Sequence, residues 1–338
     1  MKPGLFIAVT ALAVATGCAP APDPASPGLR QTRMMMGTVV TIEAVGGKTD
    51  VLEEALTDAW SEMARLEAMF SRYASTSEVS RINSAIPGRP VAVSPATIQL
   101  LSRARRIGEL TEGGFDITLG PLLELWGFHS SGAGRIPSRE EIKKSLASTG
   151  WSTFTVNEDD KTVTVLAEGV ELDLSGMAKG FIADRGAETL RRAGIPAGLV
   201  NAGGDITCWG EKPGGGPWRI GLEDPRREGE LLLVLEATEG GVATSGDYRN
   251  FFIHHRRRYS HIVDPRNGRP ADTGVIEVSV RAPDCATADG LATGIFVLGR
   301  KEGLALLERL PDTEGVIVTL EEGEPFPWRS SGLENGTQ

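Results

Sequence analysis

The stretch Asp173-Leu174-Ser175-Gly176-Met177-Ala178-Lys179-Gly180, with Asn201-Ala202-Gly203-Gly204-Asp205 after it, constrains the fold of this chain more than any other feature. Val170, Leu172 and Leu174 alternate as a strand does, and Ala178, Phe181, Ile182 and Leu190 recur with helical spacing. A strand that turns on glycine into a helix points backbone N–H groups at an anion, and Lys179 in the first turn adds a full positive charge. Paired glycines at 203 and 204 let backbone approach a ligand closely, although Gly-Gly after a short apolar strand at 197–200 serves equally as a tight turn. Together the strings predict a site for a phosphorylated ligand, with Asp173 at the strand end to orient a nucleotide or approach a metal. The same local arrangement is also found in α/β proteins that hold no ligand.

The rest of the chain reads as α+β, or mixed α/β. Residues 38–44 alternate as a strand. Asp50 and Glu53 read as a capping box opening a helix with Leu52, Leu56, Trp60, Met63, Leu66 and Phe70 inward. Ser94-Pro95 starts a second helix with an Ile98, Leu101, Ala104, Ile107 stripe, and Ser138 with Glu141 caps a third. Strand-like runs at 154–156, 162–166, 231–235, 275–280 and 316–320 interleave with these helices. Residues 31–338 contain no dividing linker and are expected to form one domain with intimately packed lobes, near the size where single cores stop growing.

The first thirty residues read as an export and anchoring segment. Lys2 precedes an apolar run from Leu5 to Ala15, which as a helix spans roughly 16 Å, too short for a hydrocarbon core of roughly 30 Å. Residues 1–17 are therefore expected to be a signal peptide, and Thr16-Gly17-Cys18 resembles a bacterial lipoprotein processing site. Residues 18–30 would be a lipidated cysteine followed by an extended tether rich in Pro20, Pro22, Pro24 and Pro27. Two or three acyl chains on Cys18, at about 0.8 kcal/mol per buried CH₂, would anchor the protein to a bacterial membrane, facing the periplasm or extracytoplasmic side. A net charge of −10 argues against nucleic acid as a partner. Arg256-Arg257-Arg258 reads as a solvated hairpin tip, and Cys208 and Cys285 permit a disulfide without establishing one.

Two further patterns carry chemistry. Asp289 and Thr293, spaced i, i+4 beside Leu291, Ile295, Phe296 and Leu298, project a carboxylate and a hydroxyl from one helix face. Oxygen donors without a Cys or His cluster suit Mg²⁺ or Ca²⁺ rather than zinc, although an Asp near a helix start with a Thr bonding back to its own helix has the same spacing. His261 precedes Ile262-Val263-Asp264-Pro265 and an Asn267-Gly268 turn; a lone His is commonly structural, yet it is the side chain best suited to proton transfer near neutral pH. Tyr73 follows the long amphipathic helix and reads as a hydrophobic closing contact, and Gly113-Gly114 could end the preceding helix.

Met36-Gly37-Thr38, the run Gly114-Phe115-Asp116-Ile117-Thr118-Leu119-Gly120-Pro121, His261-Ile262-Val263-Asp264-Pro265 with Gly268 and Pro270, and Ala288-Asp289-Gly290-Leu291-Ala292-Thr293 occur in order with the two strings above. This ordered set resembles the ApbE family of FAD:protein FMN transferases, from about Met36 to Gly299. The resemblance implies transfer of FMN from the substrate FAD, through a phosphoester bond, to a Ser or Thr of an acceptor protein, with release of AMP. It implies that Asp289, Thr293 and the Gly176 carbonyl bind Mg²⁺. It further implies that His261 is the base and Lys179 a catalytic cation, and that Met36, Tyr73, Gly114, Phe115, Asp116, Asp173, Lys179 and Ile262 contact FAD, with methionine and aromatic side chains giving flat surfaces to the flavin. Met177 and Cys208 depart from the usual pattern; neither removes a proposed ligand, though Met177 could alter the pocket's shape.

The implied acceptors are exported proteins with FMN-binding domains, such as subunits of sodium-pumping NADH:quinone reductase or Rnf-type complexes. The family's acceptor motif ends in a hydroxyl residue that Ser131-Gly132-Ala133-Gly134 lacks, so modification is expected in trans. Alternatives are Mg²⁺-dependent FAD hydrolysis at the same site and a non-catalytic flavin-binding lipoprotein.

Overall fold

In the computed structural model, which describes residues 28–129 and 134–334, eight strands form one sheet in the order Gly28–Met35, Thr38–Val45, Ala197–Ala202, Asp205–Trp209, Glu239–Gly246, Val275–Ala282, Glu314–Glu321, Glu324–Arg329. Every neighbouring pair is antiparallel, so the class is α+β. The expected signal peptide at 1–17, Cys18 and most of the expected tether lie outside the described residues. The expected tether end at Arg30 is corrected: Gly28, Leu29 and Arg30 are already paired with Val45, Ala44 and Glu43. Among the described residues no helix is long and apolar enough to cross a membrane.

One sheet face is covered by helices and the other by a hairpin. The helix Thr49–Phe70 buries Leu52, Leu56, Trp60, Met63, Leu66 and Phe70, the stripe its spacing predicts. Its start is not a capping box; Lys48 is the N-cap and makes no side-chain bond, leaving Asp50 to complement the dipole in the first turn. Ser94 does cap Pro95–Leu110, and Ser138 with Glu141 forms a full capping box on Arg139–Leu146. Ala178–Arg192 (hereafter the lysine helix) and Cys285–Leu298 (the carboxylate helix) pack into this core through Phe181, Ile182, Leu190, Leu291, Ile295 and Phe296, each worth about 1.5–3 kcal/mol of apolar burial. On the opposite face Trp218–Asp224 pairs with Arg227–Ala237, and Ile220, Leu222 and Leu235 lie on Ile206, Val242 and Val316.

The expected strand at 170–174 is not one. Val170, Leu172 and Leu174 are buried as the alternation requires, but the backbone bonds to a side chain and to a loop: Leu172 N–H donates to Asn83 Oδ1 (2.8 Å), Asn83 Nδ2 donates to the Leu172 carbonyl (2.9 Å), and Asp173 N–H donates to the Ile117 carbonyl (2.7 Å). Cys208 and Cys285 are both buried and unpaired.

Candidate active site

The lysine helix and the carboxylate helix meet where their backbones almost touch. A Cβ on Gly180 would lie 2.4 Å from the Cys285 carbonyl oxygen, so only glycine permits this approach. Asp184, one turn on, accepts from the N–H groups of Cys285 (3.0 Å) and Ala286 (2.9 Å) and from Thr207 Oγ1 (2.7 Å), capping the carboxylate helix from its neighbour. Burial and then Asp284 push the Asp184 carboxyl up to about 6.

The seam brings Gly176, Lys179, Asp289 and Thr293 together. A Cβ on Gly176 would sit 3.8 Å from Thr293 Oγ1, which itself bonds Ser245 Oγ at 3.0 Å. The buried Asp289 accepts the Gly180 N–H at 3.2 Å through Oδ2. Burial and the nearby Asp205 push its carboxyl up, against the pull of Lys179. Lys179 Nζ is paired with buried Asp205; burial alone would lower its ammonium, and Asp205 and Asp289 overcome that and raise it. The glycine turn is not the open nest of N–H donors its sequence suggests: Met177 and Ala178 donate to the Leu174 carbonyl, and Gly180 donates to Asp289. Positive charge at this end therefore rests on Lys179. Met177 is fully buried in the core and does not shape the pocket.

A carboxylate and a hydroxyl on one helix face, with the Gly176 position close to Thr293, have the hard-oxygen chemistry that fits Mg²⁺. Among the described residues no three His, Cys, Asp or Glu side chains group as a metal site.

His261 is fixed through its backbone and its ring. Its N–H donates to the Asn250 carbonyl (3.0 Å), and Nδ1 lies 3.0 Å from the same oxygen. A carbonyl only accepts, so Nδ1 carries the proton and Nε2 presents a lone pair. Burial, with Lys179 and Arg249 nearby, pushes the imidazole down to about 4, so it is neutral at pH 7. Phe128 meets the ring edge-on at 6.5 Å between centroids.

The remaining expected flavin contacts are of two kinds. Met36 is half-buried in a left-handed turn (φ 53°), its N–H bonded to Glu67 Oε1 at 2.5 Å, and Tyr73 is 76 % exposed, which excludes the hydrophobic closing contact. Phe115, by contrast, is 3 % exposed and belongs to the core, its ring edge set against Gly176, so its side chain is no open flavin surface. Asp116 Oδ1 accepts from the Thr118 N–H (2.8 Å) and Oγ1 (2.7 Å), and burial raises its carboxyl. Gly113, at φ +78°, ends the preceding helix, whereas Gly114 packs so closely that a Cβ would lie 2.9 Å from the Gly294 carbonyl of the carboxylate helix. Ile262 is buried beside His261.

Asp173 is the hub of an ion cluster rather than a free cation ligand. Oδ2 receives Arg72 Nη1 (3.1 Å) and His129 Nε2 (2.7 Å), and Oδ1 accepts the Ser175 N–H (2.8 Å). Burial would raise this carboxyl, but His129 and Ser175 overcome that and hold it well below the usual range. Sequence reasoning missed Arg72, His129, Asp205, Ser245, Arg249 and Asn250. Only Asp205 lay inside a recognised string; the others meet the site across gaps in sequence that no local pattern spans. Arg256 and His255 do form a hairpin tip, with Arg257 and Arg258 paired to Asp272 and Asp247.

Residues 36–317 match the family model for the ApbE family. The FAD:protein FMN transferase of Vibrio cholerae serotype O1 is 38% identical over 255 residues, covering 75% of this chain and 76% of the relative. That of Escherichia coli K12 is 31% identical, covering 96% and 95%. Among solved structures, the ApbE protein of Thermotoga maritima MSB8 superposes with a TM-score of 0.83 at 35% identity, covering 92% of this chain and all of its own (100%). The flavin transferase ApbE from Vibrio cholerae gives 0.80 at 31%, covering 92% and 99%.

Proposed function

The chain belongs to the ApbE family, and on that premise we propose that it transfers FMN from FAD to a Ser or Thr hydroxyl of an exported acceptor protein, releasing AMP. The observation that carries this reading is His261, whose Nδ1–H is given to the Asn250 carbonyl so that Nε2 presents a lone pair, in the field of Lys179, whose helix meets the helix that offers Asp289 and Thr293. In the transfer, the acceptor hydroxyl oxygen bonds to the FMN-side phosphorus of the diphosphate while the bond from that phosphorus to the AMP phosphate oxygen breaks. His261 Nε2 takes the hydroxyl proton, and the released AMP carries the bonding electron pair. Lys179 holds negative charge developing on the phosphates, with Asp205 keeping its ammonium charged and aimed. Asp289, Thr293 and the Gly176 carbonyl would hold Mg²⁺, which supplies charge neutralisation at the diphosphate. Exposed Tyr73 and half-buried Met36 provide apolar surface for the flavin. We also propose export and anchoring through Cys18, which suits an enzyme acting on exported acceptors.

The test is mass spectrometry of an exported FMN-binding domain incubated with the purified enzyme, FAD and Mg²⁺. A Mg²⁺-dependent gain of one FMN on a Ser or Thr, matched by AMP, is expected. FAD cleavage with the acceptor unmodified points to hydrolysis, and intact FAD removes the enzymatic reading.

A further inference from the structure

Most arginines that the fold gathers near the site are spent on carboxylates. Arg72 is held by Asp173 and Glu171, Arg226 and Arg258 by Asp247, and Arg266 by Asp264. Arg249 is different: among the described residues it forms no ion pair, and the residue is exposed. Nη1 donates to the Gly203 carbonyl at 2.9 Å, and Nη2 lies where a Cβ on Gly204 would be only 2.9 Å away. The guanidinium therefore lies along the Gly203-Gly204 turn, and the next residue, Asp205, is the partner of Lys179.

The backbone that carries Arg249 is fixed at every neighbouring position. Asp247 accepts a bidentate pair from Arg226 (3.0 and 3.0 Å) and a bond from Arg258 (3.0 Å). The Tyr248 hydroxyl donates to buried Glu277 at 2.6 Å. Asn250 gives its carbonyl to His261. Four consecutive residues are thus tied to the site or its frame, and the cationic head among them, which makes no ion pair among the described residues, faces the same region as Lys179 and His261, whose protons feel its field. Holding two cations near each other costs Coulomb energy unless an anion comes between them. A guanidinium with one N–H used keeps four donors, enough to grip phosphate oxygens in pairs.

We propose that Arg249 is a diphosphate-binding residue of this site, gripping the FAD phosphates from the Gly203-Gly204 side opposite Lys179. The inference rests on the transferase reading for the identity of the diphosphate. Both glycines acquire a reason: at φ +67° and +101° they leave room for Thr38 and for the guanidinium, and any side chain at 204 would displace Arg249.

The test is flavin-fluorescence titration of the full chain with FAD and with riboflavin, in Mg²⁺, for wild type, Arg249→Gln and Arg249→Lys. Loss of charged hydrogen bonds to phosphate should weaken FAD binding by about 10- to 100-fold in the Gln variant, leave riboflavin unchanged and be partly restored in the Lys variant. Unchanged FAD affinity in Arg249→Gln overturns the inference, as does an equal loss for both ligands, which would mark a structural role. Wild-type protein that binds FAD no better than riboflavin also overturns it. Wild-type protein that binds FAD yet flavinylates no acceptor removes the transferase reading while the Arg249 comparison still stands.

Discussion

Replacing Glu277 with Gln should stabilise the protein at alkaline pH and do little at acid pH. Glu277 is 1 % exposed in the strand Val275–Ala282, with the Tyr248 hydroxyl as its hydrogen-bond donor. Burial pushes its carboxyl from 4.5 up to about 7, the Tyr248 bond and Arg249 resisting, Asp224 and Glu223 adding to the rise. A raised carboxyl means the native state keeps its proton where the unfolded chain has lost it, so stability falls as pH rises from 4.5 and the penalty is complete above 7. Moving the group this far makes ionisation in the fold cost about 3 kcal/mol, at about 1.4 kcal/mol per tenfold. Gln accepts the same Tyr248 bond and never ionises. The assay is urea unfolding of both proteins from pH 5 to pH 8. The Gln-minus-wild-type difference should grow by about 2–3 kcal/mol across that range, whatever its starting value. A difference that stays flat, or that shrinks with pH, would show that Glu277 is ionised and paired in the native state and refute the reasoning.

Asp289→Ala should lower FMN transfer by at least about 100-fold in chelator-treated enzyme resupplied with Mg²⁺, since Asp289 is the only carboxylate of the helix Cys285–Leu298 and nearby Asp205 is committed to Lys179; full activity sinks the ligand assignment. His261→Gln should lower kcat by about 100- to 10,000-fold with FAD binding retained. Because burial first, and Lys179 and Arg249 next, push His261 down to about 4, kcat/KM of the wild type should show no histidine limb near 6.5; such a limb in the acid profile contradicts the neutral-base assignment. Tyr73→Ala should leave urea stability within about 0.5 kcal/mol, the side chain being exposed, while raising KM for FAD; unchanged KM removes Tyr73 from the flavin surface.

Hydrophobic periodicity made the helices legible because each buries a stripe against one sheet. Leu52 through Phe70 and Ile98 through Ile107 point inward as their spacing requires. The same signal misled at 170–174, where alternate residues are buried but Asn83, from a short helix far up the chain, replaces a neighbouring strand. Periodicity reports which side of a segment is dry; it does not report what its backbone bonds to. The ordered strings carried the site residues on or near local turns, while Phe115 shows the limit of reading a role from residue type, since its ring went to the core. The ion cluster of Arg72, His129 and Asp173 was invisible because its members are 57 and 101 residues from Arg72.

The site is supported in two physically different ways, and this bears on what each part does. Gly176, Lys179, Asp289 and Thr293 stand on or beside two helices locked by the Gly180 contact and the Asp184 cap, with Gly114 packed against the same carboxylate helix. That packing is dense and apolar, so the spacing between the lysine and the oxygen donors cannot drift without opening the core. His261 and Arg249 instead depend on the segment Asp247–Asn250, fixed by polar bonds from Arg226, Arg258, Tyr248 and the Asn250 carbonyl. Polar bonds rather than apolar packing hold this loop in place. Damage to the helix seam should therefore cost stability and transfer together. Loosening the loop should cost transfer first, because it moves His261, the proposed proton acceptor, while the core that holds Lys179, Asp289 and Thr293 stays intact.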